Sequence, residues 1–376
     1  MPPLTGLRVL DLTRVVAGPF CTMMLGDMGA EVLKIEEPEH GDDSRGWGPY
    51  IDGFGSFFLA LNRSKKSVAL DLKRADGAAA LRRLIETADV LIENFRPGSL
   101  AELGFDYASA SALNPRLVYC SISGYGQTGP HAQLPGYDAV IQGEAGIMDM
   151  TGFPDGEPTR VGVAITDYLA GLYAMQGILL ALMDRERSGT GQHVDIALFD
   201  AMLSVMRLPL GVLLATGTNP TRVGNDHLSI APYETLRAKD GYIIVAVANP
   251  RLWARFCDAI ERPDLRDDPR FKTNGDRVAN RGALKQELDT VFARLTVDEL
   301  TERLRAQNVP CGRVRSMREA IQHPQVAARG TLIAQQRPGL TIETLAPVVK
   351  LSRTPADVRL PPPALGEHTQ EILGQL

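Results

Sequence analysis

Cysteine and tryptophan are scarce in this 376-residue chain, at four and two residues. Cys21, Cys120, Cys257 and Cys311 lie far apart and make no C-x-x-C pair. That excludes a fold framed by disulfides and leaves no paired-thiol motif. The four read as reduced thiols, so the expected compartment is the cytoplasm. An excess of positive charge is also missing: 40 Lys and Arg stand against 45 Asp and Glu, a net charge of −5. Nucleic-acid binders are usually basic, so no nucleic-acid partner is expected. The opening "MPPLTGLRVLDL" has no basic stretch followed by an apolar one, so no signal peptide is expected. Six histidines are scattered without metal-ligand spacing, and the H-E-x-x-H, P-loop, G-x-S-x-G and EF-hand patterns are all missing, so no metal is expected. The turn "DLTRVVAGPFCTMM" offers only Gly18 where a dinucleotide fingerprint needs three glycines, and Glu36 and Glu37 alone do not make a ribose site.

What is present is a chain long enough for two domains, 44% hydrophobic. Short β-branched runs occur at "RVLDL" (8–12), "EVLKIE" (31–36), "SVALDL" (67–72), "VLIENF" (90–95) and "LVYCSISGYG" (117–126). Helical patterns such as "PFCTMMLGDMGA" and "RADGAAALRRLIETA" separate several of them. This alternation predicts an α/β fold with a parallel sheet covered by helices. Ligands of such sheets bind at the carboxyl ends of strands, which directs attention to the loops after 8–12, 90–95 and 117–126. Around 205–224 the pattern loosens into Gly, Thr, Asn and Pro and reads as a linker. A smaller unit follows over 225–315, with a hairpin signal at Lys239-Asp240-Gly241. The remainder, 316–376, is expected to pack back on the large unit formed by 1–204.

One long apolar run stands out, "GVAITDYLAGLYAMQGILLALM" (162–183), with a single acid, Asp167. It could be a membrane span with a functional acid, a helix with an N-cap, or a shielded catalytic carboxylate. Gly171, Gln176 and Gly177 lie within it and no basic flank precedes it, so a buried helix is expected and no membrane. An Asp before a helix is an ordinary N-cap. Its apolar surroundings would also desolvate it and make it a better nucleophile, so the two readings are compatible. Two basic clusters, Arg63, Lys65 and Lys66, then Lys73 and Arg74, read either as solvated surface or as a phosphate site for an anionic ligand. "ENFRPG" (93–98) places Asn94 and Arg96 at a strand end, where Pro97 and Gly98 make a turn.

The ordered segments "LRVLDLTRVVAGPFCTMMLGDMGAEVLKIEEPEHGDDSRGWGP", "NRSKKSVALDL", "LIENFRPGSLAELGF", "PGYDAVIQGEAG", "GVAITDYLAGLYA" and "GTGQHVDIALFDAM" resemble the class III CoA-transferases, the family that includes α-methylacyl-CoA racemase. The resemblance spans nearly the whole chain. It implies a large Rossmann-like domain built from both chain ends, a smaller α+β domain, and an interlocked homodimer. It implies that Asp167 is the nucleophile, passing through an aspartyl mixed anhydride and an aspartyl-CoA thioester. No permanently bound cofactor is implied; the CoA thioester is itself a substrate, and the partners are an acyl-CoA and a small carboxylic acid. The implied CoA contacts are Leu70, Lys73, Asn94 and Phe95, with Arg96 and Ala17 near the same pocket. The racemase branch carries G-H-D where this chain has Gly136, Tyr137 and Asp138. Tyr137, with an ordinary pKa of about 10, is a poor base but a plausible donor to a thioester oxygen, or else a packing residue. The resemblance therefore favours a transferase over a racemase or a non-catalytic acyl-CoA binder. Val16, Glu37 and Glu102 depart from the formyl-CoA transferase pattern and turn the expectation away from formyl-CoA and oxalate. "RVGNDHLSIAPYETLRAKDGYIIVAVAN" resembles the branch that uses succinyl-CoA and dicarboxylic acceptors, with Arg14, Arg45, Arg160, Arg222 and His227 as possible partners of a second carboxylate.

Overall fold

The computed structural model describes residues 1–376, which divide into two compact units. The first comprises Met1–Ile147, Arg160–Thr218 and Gln325–Leu376; the second comprises Met148–Thr159 and Asn219–Pro324.

The first unit is built on six parallel strands: β1 (Arg8–Asp11), β2 (Glu31–Glu36), β3 (Lys65–Ala69), β4 (Val90–Glu93), β5 (Val118–Ser123) and β6 (His193–Ala197). Their order is β3-β2-β1-β4-β5-β6. The order reverses between β1 and β4, which opens a crevice at their carboxyl ends. The strands read as nearly unbroken apolar runs because helices cover both faces. Alternate residues serve the two faces. Val9, Val32, Val90, Ile92 and Val118 pack under α1 (Ala17–Asp27) and a long later helix, while Leu10, Leu33, Leu91 and Tyr119 pack under α2 (Ala75–Thr87).

Three further helices matter for the site: α3 (Asp138–Glu144), α4 (Ile165–Ser188) and α5 (Leu198–Val205). The apolar run is α4. It is long and apolar enough to cross a membrane by composition. Yet Ala170, Gly171, Ala174, Ile178 and Ala181 are buried at helical spacing, and small residues there let α1 approach closely. A side-chain carbon at Gly171 would sit 2.6 Å from the Ala17 carbonyl oxygen. Near its far end Arg185 is buried against Asp89 at 2.9 Å, an anchor that belongs to a protein core. The helix stops at Gly189, whose φ of +75° suits the left-handed cap.

The segment read as a linker is not loose throughout. Arg207–Thr216 forms α6, with Pro209 tolerated in its first turn, and it belongs to the first unit. Residues 316–324 likewise fall in the second unit rather than the first. That unit carries a three-stranded antiparallel sheet ordered Cys311–Arg313, Gly241–Ala246, Tyr233–Ala238. The predicted hairpin joins the last two through Lys239 and Asp240. Its separate core is centred on Trp253, Phe256, Phe271, Leu288 and Phe292.

Candidate active site

At the carboxyl ends of β1 to β4 lies a cavity of about 270 Å³. Leu12, Ile35, Leu70, Leu72, Phe95 and Leu103 make apolar walls, and Arg14 and Lys73 bring positive charge. Leu70, Lys73 and Phe95 of the sequence-predicted contacts therefore meet in one place. Asn94 braces the wall: its Oδ1 accepts the Arg14 N–H at 2.9 Å and its Nδ2 donates to the Arg14 carbonyl at 2.8 Å. The Arg14 guanidinium lies 5.2 Å from the Phe95 ring centroid, a cation–π contact. Val15, next in the loop, has a φ of +72°, which is strained for a β-branched residue. The Asp42 carboxylate, accepting the Val15 N–H at 3.2 Å, helps to hold it there.

Arg96 and Ala17 lie elsewhere. The Arg96 side chain turns away, donates to the Gln133 carbonyl at 2.8 Å and lines a second cavity with Glu93, Ser121 and His193. Glu93 is the shared beam: buried, it accepts the Phe95 N–H at 2.8 Å, and burial pushes its carboxyl up to about 7. Ala17 is buried at the start of α1 and meets α4 through its carbonyl oxygen.

The basic clusters answer neither reading as a whole. Lys65 and Arg63 are buried, not solvated, and face acids rather than open space. Nζ of Lys65 donates to Asp11, to the Asn62 side chain and to the Pro19 carbonyl, and Arg63 clasps Asp27 at 2.7 Å. Burial pulls the Lys65 ammonium down to about 8. Lys66 bridges Glu31 and Glu371, Arg74 pairs with Asp76, and only Lys73 reaches the cavity. Glu36 is engaged by Arg45 at 2.7 Å. Glu37 caps its own loop by accepting the N–H groups of Glu39 and His40. Of the proposed acid-binding cations, Arg45 is thus occupied, Arg222 binds Asp149, and the His227 Nδ1 accepts the Ser229 N–H. Arg160 is exposed.

Asp167 sits in the first turn of α4 but is not its cap. The helix begins after Ala164, and the side chain that caps it is Asp138, whose Oδ1 accepts the Thr166 N–H at 2.9 Å and the Thr166 hydroxyl at 2.6 Å. Asp167 is thereby left free. Half-buried, it is desolvated and lies within the field of Asp138, and together these push its carboxyl up to about 7, with no hydrogen bond acting against them. Tyr168 stacks edge-on to Phe20 at 4.9 Å, and Ala17 touches Gly171, so α1 ties this end of α4 to the loop that walls the first cavity. Tyr137 immediately precedes α3, 70% exposed. Asp167 and Tyr137 line neither cavity. Asp138 and Gln142 were missed as site builders; the sequence holds no local sign that they serve a helix more than twenty residues away.

The profile described as CoA-transferase family III matches residues 4–369. The succinate–glutarate CoA-transferase of Agrobacterium fabrum is 42% identical over 383 residues, covering 100% of this chain and 96% of that protein. The chain belongs to CoA-transferase family III. Another relative, the acetyl-CoA:oxalate CoA-transferase of Acetobacter aceti, is 43% identical over 332 residues, covering 88% of this chain and 85% of that one. Among solved structures, a CAIB/BAIF family protein from Brucella suis superposes with a TM-score of 0.90 at 42% identity, covering 99% of both chains. As a family III CoA-transferase the protein acts on acyl-CoA, and the six-stranded sheet belongs to the fold of that family.

Proposed function

We propose that the enzyme moves CoA from succinyl-CoA to a second, dicarboxylic acid with Asp167 as nucleophile. The observation that carries this reading is the Asp167 carboxylate itself, desolvated and without a hydrogen-bond donor at the start of an apolar helix. An ionised carboxylate in that setting attacks the thioester carbonyl. The C–S bond breaks, CoA leaves as thiolate, and an aspartyl mixed anhydride remains. The thiolate attacks the aspartyl carbonyl, the C–O bond to the donor breaks, and free succinate departs. The resulting aspartyl-CoA thioester is taken up by the acceptor carboxylate, and the same steps run in reverse. Thioester energy is retained throughout provided water stays out.

The first cavity would hold part of the CoA moiety, with Leu70 and Phe95 on its apolar faces, Lys73 at a phosphate, and Asn94 fixing the wall. Arg96 stands on the outer side of that turn, away from the cavity, and Ala17 meets α4 rather than the cavity. Tyr137, exposed at the entrance to α3, is available to donate to a thioester or anhydride oxygen. Relatives named for glutarate and for oxalate keep both acids among the acceptors to be tried, alongside hydroxymethylglutarate, itaconate, malate and mesaconate. We place the enzyme in the cytoplasm and take its working form to be a homodimer; α6 exposes Leu208 and Leu214, and α4 exposes Leu180 and Met183, apolar side chains that a second copy would cover.

The test is to incubate the protein with succinyl-CoA, trap with hydroxylamine or borohydride, and read position 167 by mass spectrometry, with a panel of acids as acceptors. A modified Asp167 and CoA exchange support the reading. Full activity in Asp167→Ala would sink it. Proton exchange next to the thioester without CoA transfer would assign a racemase, and affinity without turnover a binding protein.

A further inference from the structure

We infer that Asp138 is a positioning residue that fills the N-terminus of α4 and so denies that partial positive charge to the Asp167 carboxylate. The inference rests on the proposed role of Asp167 and adds to it a reason for the first half-reaction to proceed to aspartyl-CoA.

Asp138 is fixed by donors on both oxygens. Oδ1 takes the Thr166 N–H and hydroxyl, and Oδ2 takes Nε2 of Gln142 at 2.8 Å. Gln142 is fully buried, and its Oε1 accepts the Val161 N–H at 2.8 Å. The acid therefore cannot swing away from the residue that precedes Asp167. A helix N-terminus carries a partial positive charge that would normally ease a nearby acid into its ionised form. Here that charge is met by Asp138. The charged or titratable groups on elements packed against α4 are Cys21 and Asp27 of α1, Tyr119 and Cys120 of β5, Asp138 and Glu144 of α3, His193 and Asp195 of β6, and Asp200 of α5. Of these, Asp138 is the one whose charge acts on Asp167.

The chemical consequence lies in the mixed anhydride. Thiolate can attack either carbonyl. Attack on the donor carbonyl expels Asp167 and returns the starting thioester; attack on the aspartyl carbonyl expels succinate. The less basic carboxylate leaves more readily, so a basic Asp167 directs the donor anhydride toward aspartyl-CoA; in the acceptor anhydride the same preference acts against release of product, so the gain is confined to the first half-reaction. The same basicity strengthens its first attack.

The experiment is the pH profile of aspartyl-CoA formation in a single turnover with succinyl-CoA, in the wild type, Asp138→Asn and Asp138→Glu. The wild-type rate should fall as pH drops through about 7. In Asp138→Asn this limb should move about one pH unit lower and the plateau should fall roughly threefold. Asp138→Glu should restore both. An unshifted limb in folded Asp138→Asn overturns the inference. Should that variant not fold, Asp138→Ser, a neutral side chain at the same helix end, takes its place: carbon-13 NMR of aspartate-labelled protein, assigned with Asp167→Asn, overturns the inference if Asp167 titrates as in the wild type, and supports it if Asp167 titrates lower. Failure of the wild type to form any adduct at Asp167 would overturn the proposed function as well, whereas an adduct with an unshifted limb overturns this inference alone.

Discussion

Asn94 holds the backbone of Arg14 from both sides, accepting its N–H at 2.9 Å and donating to its carbonyl at 2.8 Å. The two residues follow adjacent strands, β4 and β1, at the point where strand order reverses. One amide thus sets the width of the crevice and supports the strained backbone at Val15.

Replacing Asn94 by alanine removes both bonds and frees the 12–16 loop. Stability should fall by about 1–3 kcal/mol, and KM for acyl-CoA should rise about tenfold with a smaller change in kcat. Denaturation curves and steady-state kinetics check this.

Within the basic cluster, three lysine and arginine positions should part company. Lys73→Ala should raise KM for acyl-CoA about tenfold at low salt, an effect that shrinks as salt increases. Arg74→Ala, which loses an exposed pair with Asp76, should change KM less than about twofold. Lys65→Ala strands Asp11 in the core and should cost about 3–5 kcal/mol. Comparing acyl-CoA titrations with thermal melts separates binding from folding.

Asp167 should make the protein less stable as pH rises. Its carboxyl titrates at about 7 when folded, far above the ordinary carboxylate range. Between those values the folded state keeps a proton that the unfolded state has lost, so stability declines from about pH 4 to about pH 7 and stays lowered above it. Asp167→Asn removes this cost. It should be more stable than the wild type at pH 8, by on the order of 1–3 kcal/mol, and equal to it near pH 4, while CoA transfer is lost. Urea unfolding at the two pH values tests the sign.

The apolar face of α6 should govern assembly. Leu208 and Leu214 are 84% and 76% exposed. A Leu208→Asp, Leu214→Asp double variant should sediment as a monomer where the wild type sediments as a dimer. A wild-type monomer would remove the proposal.

The sheet was legible in the chain where burial on both faces leaves a continuous apolar run. Glu31–Glu36 was bounded to the residue, and the strands at 8–12, 90–95 and 117–126 to within a few positions. Their carboxyl-end loops were the right place to look because parallel order dictates it. Charges were less legible. Lys65 has the same neighbours in sequence whether it meets water, phosphate or Asp11, and Asp11 lies 54 positions away. The α6 helix was hidden because Pro209, Gly211 and the following Thr and Gly resemble a linker, and nothing local marks its leucines as a surface for docking.

Composition and periodicity determined the strands, the absence of a dinucleotide loop and the single acid in an apolar helix, because these are properties of consecutive residues. Only the tertiary structure decided that Asp138 caps α4 and Asp167 does not. The competition for one helix N-terminus was settled by a residue 28 positions upstream of Thr166, brought there by the packing of α3.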